Sequence, residues 1–365
     1  MSQGGPTTEA APASRPLWPA ACAVVLIAGV AGWLAYALGP DPGRAWRALL
    51  INFVFFTPLA AGMVTWPALL KAARGEWFHG IAPSAKAAVA FAPVSLIAFV
   101  ALWLGRDRWA AWLGESGLPN AAWLDERFLF GRDAVALVAL WLLALVFARH
   151  TGRGKALAAW LVLAYALVFT LIGMDMVMAL DPHWFSTLFG GYFFISGMYA
   201  GVAAWTLAVL LRRPVARADV RQDLGRLIVT FSLLTTYMMF SQLIVIWYEN
   251  LPEEVRFVIP RLTKSAPPWP YISAGLLALV YLGPLIFLLT VRSKRSRAYL
   301  AAAAAAVLVG LWVERWWLVT PTLGGEMTVG LVEVSITAAF AAALALAVGW
   351  AAPRLPVEPE EAVTP

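Results

Sequence analysis

The chain has 365 residues, 61% of them hydrophobic and only 13% charged, with a formal net charge of +6. Soluble globular proteins run at roughly half apolar and a quarter charged, so this composition excludes a water-soluble fold and indicates a polytopic membrane protein. One cysteine, Cys22, excludes disulfide frameworks, cysteine-ligated iron–sulfur clusters and C-x-x-C-H haem attachment, and three histidines (His79, His150 and His183) are too few for a multi-haem cytochrome b.

A membrane span needs about 20 mostly apolar residues. The polar tail 1–16 reads as disordered, and ten candidate spans follow it. Span one, 17–38, is longer than a signal-peptide core and has a weakly basic front. Although Ala35-Tyr36-Ala37 is an A-x-A-like site, the segment reads as a retained span. Spans two and three cover 47–70 and 87–104. Span four, 134–149, is short but almost purely apolar. Span five, 156–180, leads through the short loop Asp181-Pro182-His183-Trp184-Phe185-Ser186 into span six, 187–211. Span seven, 224–248, is followed by a longer loop carrying Glu253-Glu254, Arg256 and Arg261, which ends in the rigid Ala266-Pro267-Pro268-Trp269-Pro270. Spans eight, nine and ten cover 270–291, 298–318 and 327–351, and the tail 352–365 again reads as disordered. The expectation is one membrane domain over 17–351, all α-helical.

Ten spans put both termini on one side. That side carries 17 of the 27 Lys and Arg, the opposite loops carry nine, and Arg315 lies inside span nine. The positive-inside rule therefore places both termini in the cytoplasm. This bias accounts for the net charge. The basic runs around Arg212-Arg213 and Lys294-Arg295 lack interleaved aromatics, so membrane lipid but no nucleic acid is expected as a partner. Trp109, Trp112, Trp123, Trp184, Trp247, Trp269, Trp316 and Trp317 fall near span ends and read as an interfacial aromatic belt.

Charged groups inside spans are expensive and mark function or a partner. Asp175 lies six residues before the outer end of span five, about 9 Å along the helix axis. Glu314 and Arg315 lie in the outer third of span nine, Glu333 in that of span ten and Asn52 in that of span two. Tyr192 and Tyr199 share a face of span six. Span seven carries Tyr237, Ser241, Gln242 and Tyr248 on its way to Glu249. Nearly every expensive group is in the outer half. The pattern predicts a polar pocket opening near the outer face, not a carboxylate-lined path across the membrane. Gly197 and Gly201 have G-x-x-x-G spacing, which predicts a close helix crossing on span six.

Oxidising a quinol releases two protons with two electrons. Such a site needs proton acceptors, an apolar slot and an exit to water. A carboxylate and an imidazole at one helix end suit the first need, which makes Asp175, Asp181 and His183 the catalytic candidates. His183, Trp184, Phe185, Tyr192 and Gln242 are the candidate ring contacts. Asp175, Tyr237, Glu249, Glu314 and Glu333 are the candidate proton-transfer groups. The sequence has no metal-ligand set, P-loop, G-x-S-x-G, H-E-x-x-H or dinucleotide fingerprint. Any electrons handled here must therefore leave through a partner.

These residues carry a recognisable pattern. Asp175…Met178-Ala179-Leu180-Asp181-Pro182-His183-Trp184-Phe185-Ser186-Thr187-Leu188-Phe189-Gly190-Gly191-Tyr192 resembles the NrfD/PsrC-like integral membrane subunits. Within them it is most similar to the ActF-type subunit of alternative complex III, a quinol:cytochrome c oxidoreductase. Asp223-Leu224-Gly225-Arg226-Leu227…Ser241-Gln242…Ile246-Trp247-Tyr248-Glu249-Asn250-Leu251-Pro252-Glu253-Glu254 supports the resemblance. Together the two stretches cover spans five to seven and part of the next loop; the other spans match in number and length. The resemblance implies two four-helix bundles, spans two to five and six to nine, with outer helices at the two ends. It implies a hetero-oligomeric respiratory complex with a related membrane subunit, an iron–sulfur subunit and haem c subunits. It implies no covalently bound cofactor and a quinone or quinol substrate, such as menaquinone, bound near the periplasmic surface by Asp175, Asp181 and His183. Two alternatives stay open: a purely structural membrane anchor of the same complex, and a secondary transporter. The intra-span breakers Pro58, Pro67, Pro93 and Pro284 do not pair between halves as a transporter's broken helices often do.

Overall fold

Among the described residues, ten helices are long and apolar enough to cross a membrane, and each corresponds to one expected span. They are Trp18–Ala37, Pro42–Ala72, Ala82–Leu104, Glu126–Arg149, Lys155–Leu180, Phe189–Leu211, Ala218–Glu249, Trp269–Phe287, Arg297–Val319 and Leu331–Arg354. The computed structural model describes residues 17–39, 41–118, 120–150, 154–212, 215–263, 267–324 and 328–356. The tails expected to be disordered, 1–16 and most of 352–365, lie outside the described residues. Among the described residues there is no β-strand. The protein is thus an all-α, multi-span membrane protein.

Spans two and four start well before their apolar runs. Asp41 and Asp125 explain this. Each carboxylate accepts the backbone N–H three residues on, from Arg44 (3.2 Å) and Phe128 (2.9 Å) respectively, and so caps the helix N-terminus. Charged first turns therefore belong to the helices. For span four this brings Arg132 and Asp133 inside the helix rather than in the loop before it.

Spans two to five form a ring in which two and four each pack on three and five. Spans six to nine repeat the arrangement, with six and eight each packing on seven and nine. The rings meet where span two lies against span six. The two outer helices, from opposite ends of the chain, pack on each other, and span ten also packs on spans two and three. Span two is apolar all round and has neighbours all round, so its whole hydrophobic length is buried.

The contact between the rings is backbone against backbone. A Cβ added to Gly201 would lie 2.8 Å from the carbonyl carbon of Gly62, and one added to Gly197 would lie 2.8 Å from Cβ of Pro58. The G-x-x-x-G pair of span six thus faces a Pro58…Gly62 pair of the same spacing on span two. Polar ties flank the crossing. Tyr165 of span five donates its hydroxyl to the Pro58 carbonyl (3.0 Å), and the Trp66 indole donates to the Met198 carbonyl (2.8 Å). Nearer the termini, the Trp205 indole is shared between Ser84 Oγ (3.2 Å) and the Ile81 carbonyl (3.3 Å).

Span eight contains a wide, π-helical segment, Leu277–Leu282. Widening disturbs the usual i to i−4 ladder, and neighbouring hydroxyls compensate. Tyr199 donates to the Val280 carbonyl (3.1 Å) and Ser232 to the Tyr281 carbonyl (2.6 Å).

The tryptophans depart from the belt expectation. Of the eight expected in the belt, Trp109, Trp112, Trp184, Trp269, Trp316 and Trp317 are buried in protein, and Trp123 and Trp247 are exposed. Trp184 and Trp317 pack on Phe257 of the loop between spans seven and eight, and Trp109 and Trp112 pack on Phe130 of span four; sequence position alone does not reveal such partners.

The glycine crossing generates a prediction. Gly201→Val must displace the backbone of span two and costs about 3 kcal/mol, the upper end for overpacking. Gly191→Ala, whose added Cβ would meet only Met238 at 4.0 Å, is close to neutral. Retention of monodisperse protein after a heating series, read by size-exclusion chromatography, separates the two.

Candidate functional site

The loops joining spans one–two, three–four, five–six, seven–eight and nine–ten share one face, here termed the distal face. The buried carboxylates cluster near it. Asp175, one turn from the end of span five, is 1% exposed. The Trp123 indole donates to its Oδ1 (2.8 Å), and Arg132 donates to its Oδ2 (2.5 Å). The Arg132 guanidinium also lies over the Trp123 ring at 3.8 Å and near Phe128 at 4.7 Å. Such cation–π contacts hold its plane in place.

Asp133 follows Arg132 on span four and is fully buried beside Asp175. Its Oδ1 is 3.7 Å from Arg132 Nε, too long for a hydrogen bond, and both its carboxyl oxygens lack a hydrogen-bond partner among the described residues. Arg132 Nε and one terminal nitrogen are likewise unpaired. Two carboxyl groups therefore share one arginine, with hydrogen-bonding capacity to spare. This arrangement can hold and hand on protons, because opposite charge and proximity set the carboxyl affinities.

Asp175 and Trp123 line a pocket of about 390 Å³ that opens toward the distal face. Met174, Met178, Pro182, His183, Trp184 and Phe185 complete most of its wall. The volume lies within the range of small-molecule sites, and the mixture of apolar wall with a few polar groups is typical of them. His183 sits at the rim, with Nε2 2.7 Å from Glu115 Oε1 of loop three–four. Phe185 is largely exposed. Asp181 is turned away: its Oδ2 pairs with Arg256 at 2.8 Å, and its Oδ1 accepts the His183 backbone N–H at 3.3 Å.

The short helix Pro252–Leu262 covers the neighbouring end of the second ring. Trp184 stacks on Phe257 with ring centroids 3.9 Å apart and planes within 11°. The Arg261 guanidinium lies 3.6 Å from the same ring centroid, so the two must take opposite faces of Phe257. Arg261 donates to the carbonyls of Phe257 (2.6 Å), Trp317 (2.9 Å) and Leu318 (2.8 Å) and to Thr322 Oγ1 (2.7 Å). It thereby satisfies open carbonyls at the C-terminus of span nine, where the helix dipole favours a cation. Burial pushes its guanidinium down to about 9, still above neutral pH, so it stays charged there.

The other sequence candidates lie apart from the pocket. Tyr192 is buried, with its hydroxyl 2.9 Å from that of Tyr281. Gln242 accepts from Ser186 Oγ at 3.3 Å and shares with Tyr192 a separate, narrow crevice beside the stacked Trp184 and Phe257. Glu314 pairs with Arg315 (2.9 Å), which donates to Ser196 Oγ (2.6 Å). Glu333 is clamped by Arg44 through 2.5 Å and 2.7 Å contacts and accepts the Gly330 N–H at 2.7 Å, which makes it a structural cap for span ten. Tyr237 and Glu249 are exposed on span seven. The structure thus joins Asp175, His183, Trp184 and Phe185 in one pocket and leaves Asp181, Tyr192, Gln242, Tyr237, Glu249, Glu314 and Glu333 outside its wall.

Sequence reasoning missed Trp123, Arg132 and Asp133. The usable signal was the Arg132-Asp133 dipeptide abutting an apolar run, with an N-capping Asp125 upstream. No family model matches the chain, and no curated protein matches it.

The shared arginine supplies a test. Arg132→Leu leaves buried carboxylates without their cation and destabilises by about 3–5 kcal/mol. Asp175→Leu in the same chain recovers part of the loss. A double-mutant cycle on thermal stability in detergent reads the coupling.

Proposed function

We propose that the protein is an NrfD/PsrC-like membrane subunit of a quinol-oxidising respiratory complex, with a quinol or proton-handling pocket at Asp175 and His183. The observation that carries the reading is the pocket of about 390 Å³ bringing Asp175, His183, Trp184 and Phe185 together, backed by the Asp133–Arg132 pair. The sequence resemblance and the two-ring architecture support it. Lys and Arg bias orients the terminal face to the cytoplasm and the distal face to the periplasm of a bacterial inner membrane.

In this reading the quinol ring enters beside Trp184 and Phe185. Oxidation converts the quinol to the quinone with loss of two electrons and two protons. The protons pass to the Asp175 group and to His183, whose ring at the rim reaches water. An iron–sulfur or haem centre on a partner subunit would supply the acceptor for the two electrons. The protein's own part is to bind and orient the ring and to carry protons away.

One set of contacts favours a second reading. His183 already engages Glu115, and Asp181 already engages Arg256, so the distal loops also suit a rigid platform that only anchors a catalytic partner. Substitution separates the two. If the pocket works, Asp175→Asn and His183→Ala each lower turnover of a menaquinol analogue by the purified complex roughly 100-fold or more. Wild-type turnover in a complex of unchanged subunit composition would leave only the anchor.

A further inference from the structure

A second cleft lies at the opposite, terminal face, between spans three, four and ten, and has a volume of about 570 Å³. Its body is apolar. Ala90, Ala92 and Ala351 keep one wall thin, while Leu142 and Trp350 stand exposed at its mouth. Exposed apolar groups on a spanning helix face hydrocarbon, so the cleft opens into the bilayer, not into water.

Its end is not apolar. Arg149 closes span four and Arg354 closes span ten, and both line the cleft and are exposed. Neither forms an ion pair among the described residues. Arg354 is held in place by the Trp350 ring, 4.5 Å away, and by donating to the Trp350 carbonyl. Two guanidiniums with no carboxylate partner among the described residues thus crown an apolar slot.

Length fits one occupant. From Arg149 to Val138, the deepest lining residue of span four, the cleft runs 11 residues, about 16 Å at 1.5 Å per residue. One leaflet of the hydrocarbon core is about 15 Å deep. A molecule with an anionic head at the interface and a chain one leaflet long fills both parts at once.

We propose that this cleft is a binding site for an acidic phospholipid, its phosphate held by Arg149 and Arg354 and an acyl chain laid along spans three, four and ten. Guanidinium suits phosphate because its fork of N–H donors matches the oxygens. The site stands independently of the quinol reading. Its lipid would tie span ten, an outer helix, to the first ring.

The test is native mass spectrometry and thermal stability of the full-length protein in detergent, with phosphatidylglycerol, cardiolipin, phosphatidylcholine or glycerol phosphate added. Phosphatidylglycerol or cardiolipin should bind and raise the melting temperature, whereas phosphatidylcholine and glycerol phosphate should not. Arg149→Gln and Arg354→Gln should each weaken acidic-lipid binding roughly fivefold, and together roughly 30-fold. Lysine at both positions should retain only part of it, because the charge stays and the fork of donors is lost. Ala90→Trp keeps both arginines but fills the slot, and should also abolish binding. Equal binding of phosphatidylcholine, stabilisation by glycerol phosphate alone, or wild-type affinity in the double glutamine variant would each overturn the proposal. Circular dichroism confirms that every variant is folded.

Discussion

The architecture depends on how closely two helices can approach without side chains between them. At Gly62 and Gly201 the backbones of spans two and six touch, and no other residue type fits there without moving one of them. In lipid, helices gain little hydrophobic energy by associating, so close van der Waals contact and internal hydrogen bonds must hold them. The small-residue crossing supplies the first, and the tryptophan and tyrosine donors on either side of it supply the second. Two rings of four helices can then share one central face.

The same scarcity of water governs the charges. A lone charge in hydrocarbon is costly, and each fully buried acid near the distal face has an arginine beside it. Glu333 has Arg44, Glu314 has Arg315, Asp181 has Arg256, and Asp133 and Asp175 share Arg132. The last case differs from the rest in setting two buried acids against one base. That imbalance, more than the mere presence of acids, singles out the Asp175 pocket chemically.

The spans were legible because hydropathy over about 20 residues measures the property a bilayer selects. Their number, order and close glycine crossing came through for that reason. Less of the site did. The expected cluster of Asp175 and His183 does line one pocket, but Asp181 sits next to His183 in sequence and turns to Arg256 instead. Asp133 escaped because an apolar window stops at the first charge, although the helix, capped by Asp125, does not. Trp123 escaped because a tryptophan near a span end is ordinarily a lipid anchor, and its hydrogen bond to Asp175 spans 52 positions. Such long-range pairings leave no periodic trace.

The ties between the rings occur at three depths. Trp205 bonds to Ser84 and Ile81 near the terminal face, the glycine crossing and Trp66 lie midway, and the Trp184–Phe257 stack with the Asp181–Arg256 pair closes the distal end. Two bodies pinned at one point can tilt in any direction, whereas two pinned along a line keep only rotation about that line. A carrier that alternately exposes a central site must rock one half against the other. This molecule is a clasp fastened at the terminal face, midway and at the distal face, and each fastening opposes such rocking. The proposed function fits such a frame, because a proton moving along hydrogen bonds or a flat ring entering from the edge requires no rocking of one ring against the other.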